Sequence, residues 1–453
     1  MEKKNIVIAG AGLVGSLLAV ILRKRGHEVT IYEKRPDMRT DSVDSGRSIN
    51  LIVTSRGINA LQTVDMWEKV KGITVPVFGR MMHATDGELT YQAYGRDDSE
   101  CNYSISRGEL NKLLMTEAEA IGVKIQFTEE VVNVDLKEKK AFLNSGETVK
   151  YDLLFGTDGG GSKVRRALQE SIPGSQEEVR RLSCDYKEML MPAAADGSYP
   201  IDKNALHIWP RGAEMLMALP NQDGSFTMTL YMSEDKFHEV SDEASLEEYF
   251  KEYYPDAIPL MPYYKKEYFD NPQGMLATLF ASPWTDGNSV ALLGDAAHAV
   301  VPFFGQGMNC GFEDCYYLMK FVDELGWEAG ISKYGEFQKP NGDAIANMAI
   351  ENFAEMADKV GDEEFLLKKK VEKKIEQKFP DKYRARYGMV TYTLCPYDLV
   401  YRAGKIQSEI LDKVAAGISH EDEADLNKAE QLLAEKYWPF LEEHKVDISR
   451  FKE

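Results

Sequence analysis

The sequence predicts an α/β protein. A Rossmann-like dinucleotide-binding domain is interrupted by an inserted antiparallel sheet and followed by a C-terminal helical region. Three observations predict it. A strand-like run, Asn5–Ala9, leads into Gly10-Ala11-Gly12-Leu13-Val14-Gly15, a helical run and a second strand that ends at Glu33. Two more apolar runs, Tyr151–Phe155 and Val290–Leu293, also end in glycine turns, one carrying Asp158 and the other Asp295. Between them, from about residue 183 to 282, the pattern changes to short alternating runs broken by turns at Arg211-Gly212 and Asp223-Gly224.

The first motif is the most specific. A lone Gly-x-Gly-x-x-Gly is a weak signal. Here it sits between a strand and a helix, and an acid follows 18 residues after its last glycine, which makes it strong. Gly10, Gly12 and Gly15 let bare backbone, with Leu13 at the helix start, approach a pyrophosphate at the positive end of a helix. Glu33 is placed to accept hydrogen bonds from ribose hydroxyls.

The remaining elements follow in order. Arg47, in Gly46-Arg47-Ser48, stands where dinucleotide phosphates could be met, although a solvated arginine fits the pattern nearly as well. Arg56–Val70 reads as a helix. Val77–Ala84 and Glu88–Ala93 read as strands paired around the Asp86-Gly87 turn. Ser106 and Glu109 form a capping box for a helix reaching about Ile121. Strands are expected near Lys124–Phe127, Val131–Leu136 and Lys140–Leu143, and a helix at Lys163–Gln169 with Arg165 facing back. The inserted sheet is expected to contain Ala205–Trp209, Glu214–Leu219 and Phe226–Leu230. Val290–Phe312 returns the chain to the nucleotide domain as strand, Gly294-Asp295 turn, loop closed by Pro302, and a helix that starts at Gly305-Gln306-Gly307 and runs to about Leu325. After Pro340 the chain reads as helical, with Asn352, Glu355 and Met356 on one helix face. The expected division is 1–75, 103–182 and 283–330 for the nucleotide domain, 76–102 and 183–282 for the inserted sheet, and 331–453 for the helical region.

A net charge of −20 repels nucleic acid and anionic membranes, so an anionic ligand needs a local basic pocket. The five cysteines are scattered, odd in number and lack zinc-site spacing; a reducing cytoplasm is the expected setting, with no metal. No run of 18 apolar residues is present, so no membrane span is expected.

Taken together, Gly10–Gly15 with Glu33, the Asp158 cluster with Arg165, and Gly294-Asp295 with Pro302 and Gly305-Gln306-Gly307 resemble the single-component FAD aromatic hydroxylases, which have the para-hydroxybenzoate hydroxylase fold. Within that group, Gly46–Leu51, Tyr94–Glu100, Asn204–Pro210, Glu351–Met356 and Arg386–Val390 look like the kynurenine 3-monooxygenase family. The resemblance implies NADPH- and O2-dependent hydroxylation of L-kynurenine, with bound FAD supplying the chemistry and no catalytic side chain required. It implies FAD contacts from Gly10, Gly12, Leu13, Gly15, Glu33, Arg47, Arg107, Asp158, Asp295, Gly305, Gly307, Met308 and Asn309. Arg80 and Tyr94 would bind the substrate carboxylate, with Asn352, Tyr387, Glu355 and Met356 completing the polar end. Leu206, Met215, Met217, Leu219, Tyr231, Phe303 and Phe304 would enclose the ring. The chain departs from the family at Phe304, where histidine is common, and at Tyr231, where phenylalanine is common. Eukaryotic members carry a C-terminal membrane anchor; residues 405–453 are charged, and none is expected here. The resemblance allows a homodimer. Two alternatives stay open at this point: a related FAD hydroxylase of another aromatic, and a non-catalytic FAD-binding protein.

Overall fold

A computed structural model describes residues 2–40, 50–212, 214–358 and 363–452. Its nucleotide-domain sheet has five parallel strands, in the spatial order Val290–Leu292, Leu153–Gly156, Asn5–Ala9, Glu28–Glu33, Lys124–Phe127. Its central strand is buried from Ile6 to Ala9 because helices cover both faces, which is why it reads as a continuous apolar run. Helix Leu13–Lys24 packs on one face, and helix Gly307–Leu325 runs back against it. The three glycine turns thus lie at the carboxyl ends of neighbouring strands, where open α/β sheets bind ligands.

The inserted sheet has seven strands, ordered Gly274–Ser282, Gln176–Met191, Phe226–Ser233, Glu214–Pro220, Ala205–Arg211, Gly79–His83, Leu89–Ala93. Five of its pairings are antiparallel, as expected. The sixth is parallel, aligning Ala205 with Gly79 and Leu206 with Arg80. No short hairpin can join two segments so far apart in the chain, so the strand carrying Arg80 enters the sheet from the nucleotide domain. The register puts Arg80, Leu206, Leu219 and Thr227 in one row across the sheet, with Met217 and Thr229 in the next. The opposite face is covered by helices Glu243–Tyr253 and Tyr264–Asp270, which bury Leu246, Phe250, Tyr254 and Tyr264 against Met189, Trp209 and Phe226.

Four expectations are corrected. Arg56–Val70 is two helices, Ser55–Gln62 and Trp67–Lys71, because the chain turns at Asp65 with φ +57. The strand expected from Val77 breaks at Phe78 into Val75–Val77, which joins a small separate sheet, and Gly79–His83. The strand Gln176–Met191 begins before the expected border at 183 and was not foreseen; its exposed, charged first half carries no alternating apolar pattern. The helix expected to start after Pro340 runs unbroken from Trp327 to Asp358 through that proline. Beyond it, helices Glu363–Lys378, Arg386–Tyr392 and Tyr397–Val414 pack on the same buried cluster as Phe303 and Phe304. Among the described residues, no helix is long and apolar enough to cross a membrane.

Candidate active site

The glycine turns and the pocket face of the inserted sheet line one continuous cavity of about 870 Å³, which extends from Gly12 and Glu33 to Arg80 and Tyr387. That volume lies toward the upper end of the ~300–1,000 Å³ usual for small-molecule and cofactor sites.

The three motif glycines do different work. Gly10 holds φ +95, and a Cβ there would stand 2.7 Å from the Thr157 carbonyl oxygen. A Cβ on Gly15 would stand 2.1 Å from the Gly10 carbonyl oxygen, so Gly15 lets the helix seat on the turn and does not line the cavity. A Cβ on Gly12 would meet nothing within 4 Å; this is the face left open toward the cavity. Glu33 is buried, accepting from the Ala11 amide at 2.8 Å and from the Arg35 amide and Nε at 2.9 and 2.8 Å. Its carboxylate oxygens keep further acceptor capacity. Leu13 lines the wall beside Gly12, and exposed Arg107 lines it from the start of helix Arg107–Ala120.

Asp158 reaches the wall but spends its carboxylate on the next helix. It accepts from the Ser162 hydroxyl at 2.5 Å and the Lys163 amide at 2.7 Å, and burial pushes its carboxyl up. Arg165 ties this cluster to the third motif, donating to Gly160 O at 2.6 Å and to Ala296 O at 2.9 Å. Asp295 opens the short helix Asp295–His298 with its side chain exposed in the cavity. Gly305 is left-handed, with φ +66, and lines the wall with Gly307 and Met308. Asn309 lies beneath, fully buried; its Nδ2 donates to Ile52 O at 2.7 Å and Gly305 O at 3.0 Å. Arg47 lies outside the described residues.

At the other end Arg80 stands over two tyrosine rings. Its guanidinium carbon is 5.3 Å from the Tyr94 centroid and 5.5 Å from that of Tyr387. Those rings stack on each other at 5.4 Å, and Phe304 stacks on Tyr387 at 5.8 Å. The Arg80 Nε is buried without a hydrogen-bond partner, and no carboxylate pairs with the guanidinium among the described residues. Ring faces attract the cation without neutralising it. Burial pushes the phenols of Tyr94, Tyr231 and Tyr387 up, so all three stay protonated.

Leu206, Met217, Leu219, Tyr231, Phe303 and Phe304 form the apolar wall. Met215 does not line the cavity; it lies on the same face of the sheet, paired across from Tyr231, and is buried beside that ring. Asn352 and Glu355 are not among the residues that line the cavity. Asn352 Nδ2 donates to the Phe303 carbonyl at 2.6 Å, and Glu355 pairs with Arg386 at 3.3 Å, next to Tyr387. Helical spacing shows that residues share a face but not what that face meets. The Met356 side chain lies outside the described structure. Sequence reading missed Asn102, whose Nδ2 donates to the Tyr387 hydroxyl at 2.9 Å, and Thr229 on the sheet floor. Neither sits in a recognisable motif.

A buried ion pair holds the Asp295 turn. Asp314 Oδ2 accepts from the Gly294 amide at 2.8 Å and lies 2.6 Å from His298 Nε2. Burial alone would lower the His298 pKa; the Asp314 carboxylate outweighs it and holds the imidazolium well above the ordinary histidine value. The sign follows from linkage: a raised folded pKa contributes stability that is complete below the unfolded value of about 6.5 and is lost as pH rises through the folded value. The gap in urea midpoint between the native protein and His298→Gln is therefore expected to be largest below pH ~6.5 and to narrow as pH rises above that value. A gap that does not change with pH would show His298 to be neutral.

Comparison with known proteins agrees with this geometry. A family model described as "FAD binding domain" matches residues 3–333. A kynurenine 3-monooxygenase of Myxococcus xanthus is 42% identical, the match covering 98% of this chain and 97% of that one. Those of Flavobacterium psychrophilum (42% identical; 91% and 94% covered) and Stenotrophomonas maltophilia (40%; 92% and 93%) are similar over nearly as much. Among solved structures, 2-methyl-3-hydroxypyridine-5-carboxylic acid oxygenase shares the fold with a TM-score of 0.66 at 19% identity, covering 80% of this chain and 94% of that one. PqsL of P. aeruginosa, solved in complex with 2-aminobenzoylacetate, does so with a TM-score of 0.64 at 20% identity, covering 79% and 97%. The open face at Gly12, the acceptor at Glu33 and the free carboxylate at Asp295 fit FAD. With its nucleotide-binding sheet, its inserted sheet and a 42% identical relative matched along nearly its whole length, the chain belongs to the kynurenine 3-monooxygenase family of FAD-dependent aromatic hydroxylases.

Proposed function

We propose that the protein hydroxylates L-kynurenine to 3-hydroxykynurenine, consuming NADPH and O2, with FAD bound along the glycine turns. Arg80 is the observation that carries this reading. A guanidinium with no carboxylate partner among the described residues stands at one end of an aromatic and aliphatic cavity that is continuous with the flavin-motif wall. Kynurenine matches it, with a carboxylate at one end and an aminophenyl ring at the other.

When bound, FAD supplies the redox chemistry, accepting hydride from the reduced nicotinamide and activating O2. The protein's own residues hold and orient the substrate. Arg80 presents two parallel N–H groups to the carboxylate, a geometry that lysine cannot offer. Tyr94 and Tyr387 keep that fork in place. Leu206, Met217, Leu219, Tyr231, Phe303 and Phe304 exclude water and set the ring's depth. Asn352 holds this wall through the Phe303 carbonyl, Glu355 pairs with Arg386 beside Tyr387, and Met215 packs next to Tyr231. The ring amine of the substrate is neutral and directs density to the carbon beside it, so no strong base is needed; the buried phenols, all kept protonated, offer none. Gly12 would hold the FAD pyrophosphate, Glu33 the ribose and Asp295 the ribityl chain, with Arg107 along the wall. The helix beginning at Gly307 starts on the cavity wall, and its positive end would favour negative charge on a bound flavin. In this reading residues 1–75, 103–182 and 283–330 hold FAD, 76–102 and 183–282 hold the substrate, and 331–453 cover the cavity.

The deciding assay compares NADPH oxidation with L-kynurenine against 4-hydroxybenzoate and weighs the product. Stimulation by kynurenine and a product heavier by one oxygen is expected. Stimulation by 4-hydroxybenzoate alone would move the protein to another aromatic substrate, and no stimulation by either would remove the hydroxylase reading.

A further inference from the structure

Three consecutive carbonyls in the turn that walls the cavity are each held by a side-chain amide. Asn352 Nδ2 donates to Phe303 O at 2.6 Å, Gln306 Nε2 to Phe304 O at 3.5 Å, and Asn309 Nδ2 to Gly305 O at 3.0 Å. Asn309 is anchored in the nucleotide domain, where its Oδ1 accepts from the Thr54 amide at 2.9 Å. The other two arms depend on the C-terminal helices. Asn352 is carried by helix Trp327–Asp358. Gln306 is set by Tyr397, whose hydroxyl donates to its Oε1 at 2.8 Å.

Gln306 is the longest of the three arms and the one that needs help. Phe304 O can only accept, so the Gln306 nitrogen must face it, and the amide oxygen must then face Tyr397. Burial pushes the Tyr397 phenol well up, so its proton persists across the working pH range. The Tyr397 ring is itself seated on the Arg56 guanidinium, 3.7 Å from the ring centroid. Arg56 is fully buried, pairs with Glu313 at 2.5 Å, and donates to Val390 O at 3.3 Å and to Cys395 O. Helix Ser55–Gln62, helix Gly307–Leu325 and the C-terminal segment therefore meet at one cation, and Tyr397 carries that seating to the turn.

We propose that Tyr397 is a positioning residue: its hydroxyl orients Gln306, and through Gln306 the Phe303–Gly305 turn, so that the cavity is closed to water only when the C-terminal helices are seated. The consequence for catalysis rests on the proposed hydroxylation; the consequence for the turn does not. With the turn loose, water reaches the flavin side of the cavity and turnover leaks, NADPH, a proton and O2 giving NADP+ and H2O2 without hydroxylated product.

Tyr397→Phe tests this, because the remaining ring still covers Arg56. In the FAD-loaded enzyme, hydrogen–deuterium exchange of a peptide spanning 302–310 is expected to speed up while that of 54–62 stays unchanged. The share of NADPH recovered as hydroxylated product is expected to fall by a factor of roughly 3–10, the equilibrium weight of one neutral hydrogen bond. Gln306→Leu is expected to reproduce both effects, and the double variant to be no worse than either single one. Unchanged exchange at 302–310 would overturn the proposal. So would a Tyr397→Phe protein that loses FAD and exchanges faster at 54–62, since the residue would then only hold the fold. If the native enzyme fails to hydroxylate kynurenine, the proposed function falls, and the exchange experiment still decides the role of Tyr397.

Discussion

Arg80→Met is expected to raise the KM for L-kynurenine by roughly 10²–10⁴-fold, because each of its two hydrogen bonds to a charged group is worth about 1.5–3 kcal/mol and a factor of ten is about 1.4 kcal/mol. FAD content stays at the native level, since Arg80 lies at the end of the cavity away from Gly12 and Glu33. The melting temperature does not fall. Burial of the guanidinium is offset in the fold by Tyr94 and Tyr387, and methionine of similar reach removes the burial cost and the ring contacts together. That combination separates a binding arginine from a structural one, whose loss would lower stability and leave KM alone. Steady-state kinetics, flavin absorbance and a thermal melt on the same sample check all three. An unchanged KM would take Arg80 out of the substrate site.

Gly12→Val is expected to give a folded, colourless protein. The position has ordinary backbone angles, with φ −67, and its missing Cβ faces open cavity, so the valine fits the fold. Its methyl groups then occupy the space through which a pyrophosphate must approach the helix N-terminus. Gly15→Val cannot make this distinction, because its Cβ would stand 2.1 Å from the Gly10 carbonyl oxygen and the domain itself would shift. Flavin absorbance after purification, with far-ultraviolet circular dichroism as the folding check, reads the outcome. A yellow, fully loaded Gly12→Val protein would contradict the cofactor assignment.

The parts of this architecture that are legible in the sequence are those with short-range causes. The motif Gly10–Gly15 is contiguous, and its strand and helix follow from apolar runs on either side. The Gly294-Asp295 turn and the helix start at Gly307 are legible for the same reason. The substrate end is harder to read. Arg80 joins Leu206 only through a parallel pairing across more than a hundred residues, which no local pattern encodes. Asn352, Glu355 and Met215 have the right neighbours but do not line the cavity, and helical or strand spacing alone cannot say which residues of a face reach it. Gln306 lies inside a motif that the sequence does display; its partner Tyr397 lies 91 residues away, in a segment whose tyrosines carry no individual signature.

The lone parallel pairing in the seven-stranded sheet has a consequence for anyone re-engineering this enzyme. A gene fragment covering only residues 183–282 would leave Ala205–Arg211 as a bare edge, with an unpaired row of amides and carbonyls open to other chains. It would also lack Arg80, which arrives on a separate, earlier excursion of the chain. The substrate sheet is therefore not a cassette. Grafting substrate preference from one homologue to another means moving 76–102 together with the strands from Gln176 to Ser282, so that the arginine and the row it joins come from the same protein.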